Sequence, residues 1–371
     1  MKTIMMAAPF EVNGRYEGGI TAVANNVYMK KLVFEQNGYG LVKFETCRVY
    51  RESADNTVNV SNLKNSWLIF SELVREIITS GVDILYYHTS IGLALLKDLI
   101  AISHAKCRTG VKNVLHIHYA EYNKIMTGKP IIDKIILFLM KHFVDRVVFL
   151  SEETRKEFVA HGIADERTEV IYNFSMLSAS ERDISVKLAK KDISLNLLFI
   201  GSIDDRKGIF EILDVLNELD EDNYKLHICG ASLSDEDEQR FKRAIAKQEG
   251  RIQFHGYVKG EDKCQMYLNT DVLMLPSHEE GLPLVILEAM SMGCLILTTN
   301  VGAIPEIVKA QNGFVIHPGD HEALKKAILD VLHMKKDQMQ SIQRYNYEES
   351  KQYSLDAFVG SIIAVCKKCR N

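Results

Sequence analysis

The segment most able to do chemistry is Pro276–Gly293, PSHEEGLPLVILEAMSMG. An apolar run, DVLMLP, ends at Pro276, and a loop with two carboxylates and a glycine follows. Pro283 then stands where a helix would begin, at a first helical position where its missing N–H costs nothing. The run Leu284–Met292 is rich in helix formers. The start of such a helix carries unpartnered amides and a partial positive charge, which suits a phosphate or diphosphate. Glu280 lies in the loop and Glu288 lies eight residues on, in the helix. A carboxylate in apolar surroundings stabilises developing positive charge or holds hydroxyls. Glu280 also reads as a solvated loop residue and Glu288 as the partner of a helix end, and spacing alone does not separate the two readings.

The second segment is Leu197–Gly208, LLFIGSIDDRKG. A strand ends at Gly201, and Arg206-Lys207-Gly208 opens the next helix. Cations at a helix start oppose its dipole, at a cost of a few tenths to about 1 kcal/mol. Their presence there favours an anion such as a diphosphate over simple solvation of a loop. The third segment is Val114–Tyr119, VLHIHY, whose His116 and His118 share one face of a strand. No further ligands follow at a recognisable spacing and no His-Glu-x-x-His occurs, so no metal site is expected. His118, at the strand exit, is the candidate binding residue, and His116 reads as a core histidine. In the fourth segment, Asn13–Thr21, the pair Gly18-Gly19 lets backbone approach a ligand closely. It is not Gly-x-Gly-x-x-Gly, which disfavours a nicotinamide oxidoreductase, and no Walker motif occurs. Asp235-Glu236-Asp237 reads as the acidic first turn of a helix capped by Ser234, and Cys366-Lys-Lys-Cys369 as incidental.

These segments need a scaffold, and the sequence supplies an alternating one. Strands are expected at Lys2–Ala7, Ile84–Tyr87, Asn113–His118, Arg146–Leu150 and Glu169–Tyr172, then at Asn196–Ile200, Lys225–Cys229, Ile252–Phe254, Val272–Leu275, Leu295–Thr298 and Phe314–Ile316. Most are continuous apolar runs, as parallel strands covered on both faces require. Helical patterns fall between them, among them Ile20–Glu35, Leu63–Thr79, Phe210–Leu219 and Asp235–Lys247. This is an α/β doubly wound architecture. The polar stretch 175–194 reads as a linker between an N-terminal domain, 1–174, and a C-terminal domain, 195–353, with a last helix in 354–371. Facing domains of this kind bind ligands at the carboxyl ends of their strands.

Composition sets the outer bounds. The 371 residues are 47% hydrophobic and 25% charged, with net charge −4, which is ordinary for a folded globular protein and unlike a duplex-DNA binder. Seven cysteines without regular spacing form no disulfide framework, so a reducing cytoplasm is expected. No apolar run approaches the ~18 residues of a membrane span. The N-terminus reads as a first strand rather than a signal peptide. Residues 122–146 hold five Lys/Arg against two Asp amid apolar side chains. That composition suits either a core-packed helix or peripheral contact with an anionic membrane.

Taken together, the segments resemble the retaining glycosyltransferases of family four, also called group 1 glycosyl transferases. EEGLPLVILEAMSMGCLILTTNVGAIPEIV, residues 279–308, is similar to the family's Glu, seven residues, Glu pattern and the segment that follows it. FHGYV (254–258), NGFVIHPGD (312–320), LLFIGSIDDRKG, VIYNFS (170–175) and Gly18-Gly19 fall in the family's order. The resemblance implies two Rossmann-like domains (the GT-B fold), with the last helix crossing back to the first domain. It implies a nucleotide-diphosphate sugar donor, a glycan or lipid-linked acceptor, and no required cofactor or metal. Glu280 would contact the donor sugar near the reacting carbon, His118 would lie beside that sugar, and Lys207 would neutralise the leaving diphosphate. The Leu284 and Val285 amides would lie near the diphosphate, Glu288 would hold the ribose hydroxyls, Tyr257 and Val258 would border the base, and Gly18, Gly19, Gly201, Arg206, Gly281, Leu282 and Pro283 would also bind substrate. The family often has Arg directly after the glycine at 201; here Ser202 stands there, and Arg206 is the candidate replacement. The implied activity is sugar transfer with retention, in bacterial surface polysaccharide synthesis. A nucleotide-sugar epimerase on the same plan is the alternative.

Overall fold

A computed structural model describes residues 1–10, 19–46, 60–190, 194–246 and 250–369, without the side chains of 60–67. Gly18 lies outside the described residues. The chain divides into two compact units, Met1–Asn173 with Leu355–Asn371, and Phe174–Ser354.

The first unit is built on strands β1 (Lys2–Ala8), β2 (Tyr39–Glu45), β3 (Ile84–Thr89), β4 (Lys112–Ile117), β5 (Arg146–Phe149) and β6 (Thr168–Val170). They form one parallel sheet in the order β2-β1-β3-β4-β5-β6. The inner strands are largely apolar, and every residue of β3 is buried. β2, YGLVKFE, was not among the expected strands. It lies at the sheet edge, alternates buried with less buried positions, and carries Gly, Lys and Glu, so it lacks a continuous apolar signal. The single helix expected at Ile20–Glu35 is two, Gly19–Met29 and Lys31–Gln36, with Lys30 between them. The last helix, Leu355–Lys368, belongs to this unit: it buries Phe358, Val359, Ile362 and Ile363, and Asp356 pairs with Lys30 at 2.7 Å.

The second unit holds β7 (Leu195–Ile200), β8 (Tyr224–Cys229), β9 (Ile252–Gly256), β10 (Val272–Leu275), β11 (Leu295–Thr299) and β12 (Gly313–Ile316). Its parallel sheet runs β12-β11-β10-β7-β8-β9. The stretch expected as a linker instead contains a packed helix, Glu181–Ala189. Ser180 and Asp183 close a capping box at its start. It buries Ile184 and Lys187, and Lys187 donates to the carbonyls of Tyr267 at 3.1 Å and Met292 at 2.7 Å. A helix that hides a lysine and one isoleucine leaves little apolar pattern to read. The same holds for Lys336–Ser350, which buries Gln343, Asn346 and Ser350 beside Met339 and Tyr347. The Asn346 amide donates to the carbonyls of Cys294 at 2.7 Å and Asn312 at 2.9 Å, so it is polar packing with its hydrogen bonds satisfied.

Candidate active site

In the second sheet, strand order reverses at β7, which has β8 on one side and β10 on the other. Loops leaving the carboxyl ends of two strands part at such a switch point and open a ligand crevice. Here they are the loop after β7, with Gly201, Arg206 and Lys207, and the loop after β10, with Ser277 and Glu280. Lys207 Nζ and Glu280 Oε1 are in direct ion-pair contact, with side-chain exposures of 15% and 8%. Ser277 Oγ donates to the same carboxylate oxygen at 2.9 Å. Glu280 is therefore a buried, paired carboxylate and not a solvated loop residue.

Local backbone geometry forces this meeting. Asp204 caps the short turn Asp205–Lys207 by accepting from the Lys207 amide at 3.0 Å. Gly208 follows with φ +74°, and a Cβ there would stand 2.3 Å from the Pro276 carbonyl oxygen. Only glycine lets the chain after Lys207 lie against the end of β10. On the other side of the loop, Gly302 has φ +56°, and a Cβ would stand 2.2 Å from the Glu280 carbonyl oxygen. The Ala303 amide donates to the Gly281 carbonyl at 2.8 Å, and the Thr299 hydroxyl donates to the Ser277 carbonyl. The carboxylate loop is thus held on both sides by backbone contact.

The helix after the loop is Leu284–Ser291, one residue shorter than expected. Pro283 is its N-cap, with ψ 126°, and not its first helical residue. An extended ψ at the proline turns the chain into the helix, and Leu284 is the first residue with helical geometry. Its first turn places the Leu284 and Val285 amides beside Gly281 and Leu282 in sequence.

Glu288 is 1% exposed and its carboxylate is already partnered. Lys263 lies 2.7 Å from Oε2, and the Tyr267 hydroxyl donates to Oε2 at 3.0 Å. Both partners come from the helix Gly260–Leu268 and neither was identified from the sequence. Burial and then the Glu288 carboxylate push the Tyr267 hydroxyl well above its usual range, so it stays a donor. Tyr257, 70% exposed, and Val258 follow the carboxyl end of β9. Ser202, at the position that departs from the family pattern, is approached by Arg206, whose guanidinium lies 3.3 Å from the Ser202 hydroxyl and 3.6 Å from Asp204.

The remaining sequence candidates belong to the first unit. Gly19 heads the helix Gly19–Met29. His118 follows β4 and stacks on His116, with ring centroids 4.1 Å apart. His88, from β3, completes the group: its Nδ1 lies 2.7 Å from His118 Nε2. Burial pushes the His118 imidazole down to about 3 and those of His88 and His116 well below the usual range. All three rings are neutral at physiological pH.

The architecture and the ordered loops are matched by known proteins. Residues 180–349 match the family model described as Glycosyl transferases group 1, and residues 32–175 match that described as Glycosyltransferase Family 4. This chain belongs to the group 1, family 4 glycosyltransferases. The Anabaena HepE crystal structure in complex with UDP superposes with a TM-score of 0.73 at 18% identity, over 99% of this chain and 100% of that one. Both have the GT-B architecture of two Rossmann-like units. An uncharacterised 41.2 kDa protein in the cps region of Klebsiella pneumoniae is 24% identical over 67% of this chain and 68% of its own length. The O-antigen chain mannosyltransferase B of Escherichia coli is 33% identical over 36% of each chain. The match to an uncharacterised glycosyltransferase of Methanocaldococcus jannaschii spans half of that relative's length.

Proposed function

We propose that this family 4 glycosyltransferase moves a sugar, with retention, from a nucleotide-diphosphate donor to a hydroxyl of a glycan or lipid-linked acceptor, in bacterial surface polysaccharide synthesis. The observation that carries this reading is the buried Lys207–Glu280 pair at the strand switch point. A carboxylate and a cation side by side answer the two charges that glycosyl transfer creates, positive at the anomeric carbon and negative on the leaving diphosphate. Lys207, Arg206 and the amides of Leu284 and Val285 take the diphosphate, with Gly201, Gly281, Leu282 and Pro283 allowing close backbone approach. Glu280 sits at the sugar. Glu288, held in place by Lys263 and Tyr267, accepts from the ribose hydroxyls, while Tyr257 and Val258 border the base. The family resemblance also implies roles in donor binding for Gly18, Gly19 and His118.

The chemistry needs no metal in this reading. The bond from the anomeric carbon to the diphosphate oxygen breaks, the acceptor oxygen bonds to that carbon on the same face, and the acceptor proton passes to the leaving phosphate. HepE binds UDP, so UDP-sugars come first in the donor panel. The test is proton NMR of the product: the anomeric configuration of the donor is expected to persist, and inversion would refute the reading. Conversion of the donor sugar without an acceptor would instead reveal an epimerase.

Two further outcomes follow. Arg206 stands where it can replace the cation missing at Ser202, so Arg206→Ala is expected to weaken nucleoside diphosphate binding about tenfold, or ~1.4 kcal/mol. Unchanged affinity by calorimetry would discard that role. In the first unit, the helix Pro130–Phe143 exposes Ile131 (77%), Ile135 (44%) and Phe138 (55%) on one stripe, with Lys134 and Lys141 in the same helix. We assign this stripe to the inner face of the cell membrane, where a lipid-linked acceptor resides. Sedimentation with anionic vesicles is expected, and the triple change Ile131→Ser, Ile135→Ser, Phe138→Ser should abolish it. No described helix is long and apolar enough to cross a membrane.

A further inference from the structure

The parallel register pairs His88 of β3 with His116 of β4, and His118 follows on the face of His116. The sequence showed two histidines and no third ligand; the third comes from the neighbouring strand. One ring nitrogen from each of His88, His116 and His118 lies within 4.8 Å of the others. Three imidazoles around a zinc ion, with bonds of about 2.0–2.1 Å, form a recognised set of protein ligands that leaves a fourth position open. The rings now stack, with centroids 4.1–5.4 Å apart, so binding requires them to turn until one nitrogen of each faces a common point.

A second observation points at a ligand. Nε2 of His88 and Nε2 of His116 are buried and have no hydrogen-bond partner, although the two residues are 2% and 0% exposed. Buried polar nitrogens are normally satisfied. The Tyr86 hydroxyl lies 3.0 Å from His116 Nδ1, which fixes that ring with Nε2 pointing away from the tyrosine; His88 Nδ1 lies 2.7 Å from His118 Nε2, a contact that an ion bound through either nitrogen would replace. An oriented ring with one nitrogen bonded and the other free is how metal-binding histidines are prepared. His118 is only partly buried, which gives an ion a way in.

We propose that His88, His116 and His118 bind a borderline divalent transition-metal ion, Zn²⁺ in the first instance. Imidazole ligands suit Zn²⁺ over Mg²⁺ or Ca²⁺, which prefer oxygen.

The test uses the full chain. Co²⁺ is titrated first as a spectroscopic probe, then Zn²⁺ against a chromophoric chelator. The site predicts one equivalent bound, visible Co²⁺ absorption, and no thiolate-to-cobalt charge-transfer band, which separates it from the free cysteines. His88→Gln and His118→Gln, each checked for native circular dichroism, should each weaken Zn²⁺ binding at least tenfold. Native protein that gives no Co²⁺ absorption, or binding that both variants retain, overturns the site.

Discussion

Glu280→Gln is expected to fold as the native chain does and to transfer sugar about 10²–10³-fold more slowly, the usual loss when one preorganised electrostatic group is removed. The substitution is close to isosteric. The side-chain oxygen that accepts from Ser277 at 2.9 Å remains, and the loop stays clamped by Gly302 and by the Ala303 amide. What disappears is the negative charge at a position 7% exposed, where solvent does not replace it. Lys207 is left free to bind the diphosphate, so the loss should fall on kcat and leave the donor KM within a few-fold. Steady-state kinetics at saturating acceptor separates the two. A variant turning over within threefold of the native rate would remove Glu280 from the reaction centre.

Lys207→Met strands the Glu280 carboxylate. Its remaining partner among the described contacts is the Ser277 hydroxyl. Breaking one side of a mostly buried pair costs about 3–5 kcal/mol, because the other charge stays desolvated. The low end of that range is expected here, since Lys207 keeps some solvent access. Donor binding should be lost with it. The double variant Glu280→Gln/Lys207→Met should regain much of the stability, because its buried charge has gone. Coupling of about 1–3 kcal/mol is expected in the cycle. Denaturant midpoints of the four proteins measure it. Additive losses would show that the pair is an accidental surface contact, and the reading of the site would lose its main support.

Much of the second unit could be read from its sequence, for physical reasons. β10 and β11 are short apolar runs between turn residues, and such runs in a parallel sheet have few alternatives. The carboxylate loop between β10 and its helix stands out by its two glutamates ahead of a helix start, though spacing alone left a solvated reading of Glu280 open. The partners of those side chains were hidden. Lys263 and Tyr267 reach Glu288 from a helix 21–25 positions earlier in sequence, and nothing local marks them. Gly302 lies within the segment 279–308 that carries the resemblance, but the 2.2 Å conflict a Cβ there would have with the Glu280 carbonyl exists only in three dimensions. His88 lies one residue beyond the expected strand Ile84–Tyr87, and only the β3–β4 register sets it beside His116. The helix Glu181–Ala189 reads as a linker in sequence because its buried face is a lysine and an isoleucine, with the lysine satisfied by carbonyls from elsewhere.

The central claim is that Lys207, Glu280 and the Leu284–Ser291 helix start form a nucleoside diphosphate site. Thermal stabilisation of the full chain by UDP, GDP, ADP, dTDP and CMP, each in EDTA and then with Mg²⁺, tests it most directly. At one hundred times its dissociation constant a ligand stabilises the folded state by about 2.7 kcal/mol. A clear shift is expected with one diphosphate in EDTA, unchanged by Mg²⁺ and lost in Lys207→Met relative to that variant's own baseline. No shift with any of the five, or a shift that Lys207→Met retains in full, would contradict it.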